Sequence, residues 1–360
     1  MKMKCISMEY KNENDMLLEK QQEILKNNSY FRAKIVWKNV IAFVILHLGM
    51  VYGLYLMFSF QVPLATIIWS AVVLYLGAEG VTIGNHRMWT HRSFKGTPAL
   101  KTILLIGQTI AGQNCIWIWA RDHRLHHKFS DTNADPHNSN RGFFFCHMGW
   151  LMMKKHPDVK IKGKTIDMSD LDADPFVMFQ KKYYNYLYFV FAFFIPIAVP
   201  VFFWGDSWRN GLFLAYFVRY AITLHGTWTV NSIAHLYGTR PYTKDIAPVE
   251  SSFVAFISSG EGWHNYHHTF PWDYRAGEFG KYFNISVYYI DWFARHGYAY
   301  DLRSATPEMV AYRIMKKGDG SHSLCKVKVN NEQPDIDHDI YDLYGEKAGK
   351  HMQVSNALVS

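Results

Sequence analysis

Cysteine is scarce in this 360-residue chain: Cys5, Cys115, Cys146 and Cys325 stand without the close spacing of a zinc site or a disulfide framework. They read as free thiols in a reducing compartment. Charge is also low, at 19% of residues against about a quarter in soluble proteins. The opening residues MKMKCISMEYKNENDM lack the apolar core of a secretory signal peptide. The first apolar span must then act as its own insertion signal. No HExxH zincin motif is present, which argues against a zinc peptidase, and no basic–aromatic repeat points to nucleic acid. The net charge of +8 instead suits an anionic partner, such as lipid headgroups or a phosphorylated carrier.

Apolar residues are plentiful: hydrophobic types make up 49% and aromatics 17%, yet mean hydropathy is only −0.13, so they must be concentrated in segments. Four runs carry them, over about 39–60, 64–83, 183–204 and 211–232. Each reaches the roughly 20 residues needed to cross a hydrocarbon core. The second is broken only by Glu79, and Arg219 lies inside the fourth, where it should point into protein or water. The links at Gln61–Pro63 and Gly205–Asn210 are short enough to make two helical hairpins, with both termini and the segment 84–182 on one side. That segment holds 15 Lys or Arg against one in the two short links, which places it in the cytosol. The expected fold is an all-α integral membrane protein of four spans under a cytosolic helical cap. Leu100–Trp119, apolar but containing Gln108, Gln113 and Asn114, is expected to be an interfacial or cap helix rather than a fifth span. Residues 1–34 read as a mobile N-terminal segment, 35–315 as the membrane domain and 316–360 as a loosely ordered tail.

The histidines are clustered. His86 and His91 lie in HRMWTH; His123, His126 and His127 open HRLHHKFSDTNADPHN; His264, His267 and His268 lie in WHNYHH. Residues at i, i+3 and i+4 share one helix face, so each HxxHH can present three imidazoles to one place. His86 and His91 are about 140° apart on an ideal helix and need a helix end or a distortion to converge. Asn231 and His235, four apart, add an amide and a ninth imidazole near the end of the fourth run. Imidazole suits iron, zinc, copper or nickel, and nine are too many for one ion, so two metals are implied. His47, His137, His147, His156, His225 and His296 stand alone and read as packed or solvent-bonded residues.

These boxes, with WARDHRLHHKFSDTNADPHN, RGFFF, GWLMMKKHP, TWTVNSIAHLYG and GEGWHNYHHTFPWDYR, resemble the integral-membrane acyl-CoA desaturases over about residues 35–315. The likeness is greatest to insect desaturases and animal stearoyl-CoA desaturase. It implies a di-iron enzyme with four spans and a cytosolic cap, using O₂ as co-substrate. One iron would be held by His86, His91, His123, His127 and His268. The other would be held by His126, His235, His264 and His267, with Asn231 reaching it through water. The resemblance also implies that Arg121, Asp122, Lys154 and Lys155 bind the CoA phosphates and adenosine, with Asn39, Asn114 and Trp228 near the pantetheine. Gln113, Trp119 and Thr227 would bend the acyl tunnel. For Trp119 an interfacial anchor, and for the charged residues a solvated face, are the readings from residue type alone.

Long-chain acyl-CoA is the implied substrate. Cytochrome b5, reduced by an NADH-dependent reductase, is the implied electron donor, and as a separate partner, because the chain has no HPGG-type haem-binding segment. The endoplasmic reticulum membrane, multi-pass with both termini cytosolic, is the implied location. Departures from the family pattern at Ile83, Asn85, Thr243 and Gly277 touch no implied ligand and bear on chain length and double-bond position. Ser70 and Leu74 are expected near the tunnel's far end, and the product is expected to be Δ9 or Δ11 on saturated C14–C18 chains. A membrane di-iron hydroxylase or alkane monooxygenase would share three histidine boxes but not the RDHRxHHKxSxTxADPHN context. A non-catalytic metal-binding membrane protein would not be expected to retain all ten ligand positions.

Overall fold

A computed structural model describes residues 33–278 and 283–326. The N-terminal segment expected to be mobile lies almost wholly outside them. The described residues are mostly helical and include one two-residue antiparallel strand pair, Lys95–Gly96 with Ala299–Tyr300. The labelled helices are α1 (Trp37–Phe58), α2 (Leu64–Thr90), α3 (Pro98–Ala111), α4 (Ile116–Phe129), α5 (Phe143–His147), α6 (Pro175–Trp204) and α7 (208–236). They are followed by α8 (Ser252–Ile257), α9 (His264–Thr269), α10 (Ile285–Arg295) and α11 (Pro307–Lys317).

Three described helices, α1, α2 and α6, are long and apolar enough to cross a membrane, or four if the bent pair α3–α4 counts as one span. Ile41, Val44, Leu48, Val51, Tyr55 and Phe58 of α1 face outward, as a lipid-facing surface requires. The sequence bounds shift: α2 continues seven residues past 83, and α6 starts at 175 rather than 183. The expected fourth span forms as α7 but is not among the helices of sufficient length and apolarity. It spends positions on Arg219, Thr223, Thr229, Ser232 and His235, all buried against neighbouring helices. The apolar stretch 100–119 is also revised. It breaks into α3 and α4, bent by 80°, because Gly112 and Asn114 take left-handed backbone at the corner.

Close helix contact depends on small residues. Gly49 and Gly53 of α1 form a GxxxG face on α7, where a Cβ at Gly53 would lie 2.4 Å from the Phe213 carbonyl oxygen. A Cβ at Gly80 would come within 2.2 Å of the Gly107 backbone, so α2 and α3 also touch main chain to main chain.

Arg219 points into protein. Its guanidinium donates to the carbonyls of Ile110 (2.7 Å), Ala192 (2.6 Å) and Ala215 (3.2 Å). Ile110 lies in the last turn of α3, at the bend, while Ala192 and Ala215 lie in π-helical turns. Arg219 therefore satisfies acceptors at helix irregularities, which explains how a cation persists there.

Residues 316–326 are the described part of the tail expected from 316, and several of them are held to the domain; the rest lies outside the described residues. Asp319 accepts the Arg240 N–H, His322 meets Glu278 at 3.1 Å, and Leu324 and Cys325 pack against Tyr242, Tyr266 and Phe270.

Candidate functional site

The nine clustered histidines converge in two adjoining groups. His86, His91, His123, His127 and His267 form one, and His126, His235, His264 and His268 the other. The expected distortion at the first box is a π-helix over Gly80–Thr90, closed by the His91 N–H donating to the His86 carbonyl at 3.1 Å. Its i→i+5 bonding stacks residues five apart, and the two rings lie 4.8 Å apart between centroids.

The structure corrects the division between groups: His267 joins the first and His268 the second. Adjacent helix residues are about 100° apart, so the paired histidines of an HxxHH box face different sites, while its first and last share one. His123 and His127 share the first group with His126 in the second. His264 and His268 share the second with His267 in the first. The two boxes are thus used in mirrored fashion.

Neighbouring Nε2 atoms in the first group are 3.0 Å apart: His86 to His267, His267 to His127, His127 to His123, and His123 to His91. Hydrogen bonding does not account for them. The Nε2 of His123, His127 and His267 each meets two others, but one ring nitrogen has a single hydrogen or a single lone pair. Converging lone pairs need a cation. With metal–nitrogen bonds of about 2.1 Å, ligands at right angles lie about 3.0 Å apart and tetrahedral ligands about 3.4 Å. The spacing fits a higher-coordinate ion better than tetrahedral zinc. In the second group His264 lies 3.2 Å from His235 and 3.1 Å from His268.

Carboxylates hold the far ring nitrogens. His86 Nδ1 faces Glu261 at 2.8 Å, His126 Nδ1 faces Asp135 at 2.8 Å and His235 Nδ1 faces Asp131 at 3.1 Å. This arrangement sets the tautomer that leaves Nε2 free to ligate. Glu261 also pairs with buried Arg87 at 2.6 Å. Burial pushes His264, His267 and His268 well below the ordinary histidine range, and neighbouring imidazoles push further, so these rings are held neutral. For Asp131 burial acts upward, but the His235 imidazole and the Ser139 hydroxyl outweigh it and keep the carboxylate ionised.

Helix α9 is fixed from below. Glu250 accepts the Tyr266 N–H at 2.8 Å, while the Asn265 amide bonds Tyr242, Thr243 and Pro248 backbone groups.

A cavity of about 740 Å³ opens beside the first group and reaches His123. Asn39, Gln113, Asn114, Trp119, Asp122, Thr227, Trp228 and Asn231 line it. Trp119 donates to Gln113 at 3.4 Å, and Gln113 to Thr227 at 2.7 Å. Arg121 and Lys155 both pair with Asp122, at 2.8 and 2.5 Å. Lys154 is exposed, and its N–H donates to the Lys34 carbonyl; Asn39 donates to Leu151 at 2.6 Å. Residues 151–155 are thereby pinned to the start of α1. Asn231 lines the cavity one turn before His235. Ser70 and Leu74 are not among its lining residues; on the α6–α7 side its wall is made by Tyr184, Tyr188, Tyr216 and Tyr220.

Of the departures, Thr243 bonds Thr269 of α9, and Asn85 is wholly buried with neither amide atom partnered. An alanine at Gly277 would put its Cβ 2.8 Å from the Trp263 ring, so glycine suits the local packing.

Sequence reasoning missed the carboxylates Asp131, Asp135 and Glu261. Their nearness to the boxes was the available signal, since ligating histidines recruit acids. His137, read from sequence as a packed or solvent-bonded residue, is buried with its ring 4.3 Å from that of His126 and also lines the cavity. His296 keeps the plain role expected, bonding its own helix at Trp292.

Residues 63–283 match the family described as fatty acid desaturase. The chain is 51% identical over 303 residues to the acyl-CoA Delta-9 desaturase of Acheta domesticus, covering 84% of each. It is 48% identical to the acyl-CoA Delta-12 desaturase of Tribolium castaneum, covering 85% of this chain and 86% of that one. To the human stearoyl-CoA desaturase it is 47% identical, covering 81% and 80%.

Proposed function

This chain belongs to the fatty acid desaturase family, and we propose that it desaturates a long-chain acyl-CoA at two irons held by the nine histidines. The observation that carries the reading is the cavity itself. It is lined by the His123 imidazole and by Asp122, with which the cations Arg121 and Lys155 pair. An acyl chain would lie inside with its phosphorylated carrier outside.

Two irons, when bound, supply the O₂ activation and hydrogen removal that no side chain can perform on an unactivated methylene. The protein's own part is placement. The neutral imidazoles hold the metals, with Asn231 reaching the second group through water. Trp119, Gln113 and Thr227, hydrogen-bonded in series, set the bend of the acyl channel. Arg121, Asp122, Lys154 and Lys155 take the CoA phosphates and adenosine, and Asn39, Asn114 and Trp228 flank the pantetheine. Fixing one carbon pair beside the metals turns a difficult encounter into an oriented one.

In this reading α1, α2, α6 and α7 are the four spans and the remaining helices form a cytosolic cap, with both termini cytosolic in the endoplasmic reticulum membrane. Arg219 and the other buried polar groups of α7 face protein, which supports counting it as a span. Cytochrome b5 delivers the electrons against the basic face.

Relatives named for Δ9 and Δ12 are 51% and 48% identical to this chain. Overall identity therefore does not set the double-bond position, and our assignment is Δ9 or Δ11 in a saturated chain of C14–C18. Expression in yeast lacking its own desaturase, with double bonds located by mass spectrometry, tests it. Monounsaturated product at either position is expected, whereas a hydroxylated chain would reject desaturation.

Replacing Lys154 and Lys155 together by alanine is expected to raise KM for acyl-CoA about tenfold, the scale of one charge-assisted contact, without moving the double bond. An unchanged KM would count against the phosphate role.

A further inference from the structure

Three histidines outside the metal groups are not isolated. His47 of α1, His225 of α7 and His147 of α5 form one chain. His47 Nδ1 meets the Phe43 carbonyl at 2.6 Å, and His47 Nε2 meets His225 Nε2 at 3.1 Å. His225 Nδ1 meets His147 Nε2 at 3.0 Å, and His147 Nδ1 meets the Ser232 hydroxyl at 2.9 Å.

The Phe43 end sets the protons. A carbonyl can only accept, so neutral His47 carries its hydrogen on Nδ1 and its Nε2 accepts. Neutral His225 then donates from Nε2 and accepts at Nδ1, and His147 donates from Nε2. The Ser232 hydroxyl stands between two acceptors, His147 Nδ1 at 2.9 Å and the Trp228 carbonyl at 2.8 Å, and its single hydrogen closes the chain when it turns to His147. Polar groups on membrane helices need such partners.

Trp228 sits inside this frame. His225 packs edge-on against it at 5.0 Å, His147 at 5.7 Å and Phe43 at 5.4 Å. Its other surroundings include the cavity, which it lines with Phe43 and Leu46. The chain thus ties together α1, α5 and α7 around one wall residue.

We propose that His47, His225 and His147 are positioning residues for substrate: their chain locks Trp228 into the cavity wall and so sets affinity for acyl-CoA. The inference rests on the acyl-CoA reading of the cavity. His225 takes no part in the oxidation.

The directed chain gives a discriminating pair of variants. A glutamine at 225 can donate to His47 from its amide nitrogen and accept from His147 at its amide oxygen; a leucine of similar size can do neither. His225→Leu is expected to raise KM for acyl-CoA about three- to tenfold, the loss of roughly one net hydrogen bond. Its kcat should stay within about twofold and its iron content should not change. His225→Gln should recover most of the affinity. Equal KM values for the two variants would overturn the proposal, as would loss of iron and kcat with KM unchanged.

The near-ultraviolet circular dichroism change caused by His225→Leu should vanish in a Trp228→Phe background. Its persistence there would show that the chain does not act on Trp228. This readout needs no turnover, so failure of the acyl-CoA reading would appear separately, as a wild-type protein inactive on acyl-CoA.

Discussion

Purified His267→Ala should form no detectable double bond and retain about one iron per chain instead of two. His267 Nε2 lies 3.0 Å from both His86 and His127, closing the first group from the third box. Its loss leaves four imidazoles from two elements, without the only donor that α9 gives to that group. Changing a residue that merely supports a ligand already costs about 10–100-fold in metal affinity or activity, and removing a ligand should cost more. His268→Ala should be equally inactive but lose the other iron, because His268 stands with His126, His235 and His264. His296→Ala, on the exposed end of α10, is the control and should keep full iron and turnover. Iron analysis with acyl-CoA turnover checks all three, and a turning-over His267→Ala enzyme would refute the assignment.

Glu261→Gln should lower activity about 10–100-fold and also destabilise the protein, two effects with separate causes. The first follows from His86, whose Nδ1 faces Glu261 at 2.8 Å. Without the carboxylate the imidazole loses basicity and its fixed tautomer. The second follows from Arg87, 1% exposed and paired with Glu261 at 2.6 Å. Its remaining hydrogen-bond partners are the Thr82 carbonyl at 3.2 Å and Asn284 at 3.3 Å, both neutral. Leaving a buried charge without its counter-ion costs about 3–5 kcal/mol. Thermal unfolding in detergent should shift downward, and iron titration should show weaker binding at the first group. Asp135→Asn, which faces His126 but pairs with no buried arginine, should reproduce the metal effect with a smaller stability loss. Similar stability losses in the two variants would contradict this account.

The histidine boxes made the chemistry legible in the sequence because metal ligation needs particular side chains at particular turns of a helix. The apolar runs made the membrane setting legible for a similar reason: length and freedom from charge are properties of consecutive residues. The need for a helix end or a distortion between His86 and His91 also followed from spacing alone. What could not be read locally were relations between distant segments. Which group His267 joins and which His268 joins depends on how α9 is turned against α2, α4 and α7. Glu261 behind His86, Asp131 behind His235, the Ile110 and Ala192 carbonyls at Arg219 and the chain from His47 through His225 to His147 pair residues from 27 to 178 positions apart, whereas Asp135 lies only nine from His126. Only packing brings such groups within hydrogen-bond distance, so composition and periodicity determined the kind of site, and tertiary contacts decided its wiring.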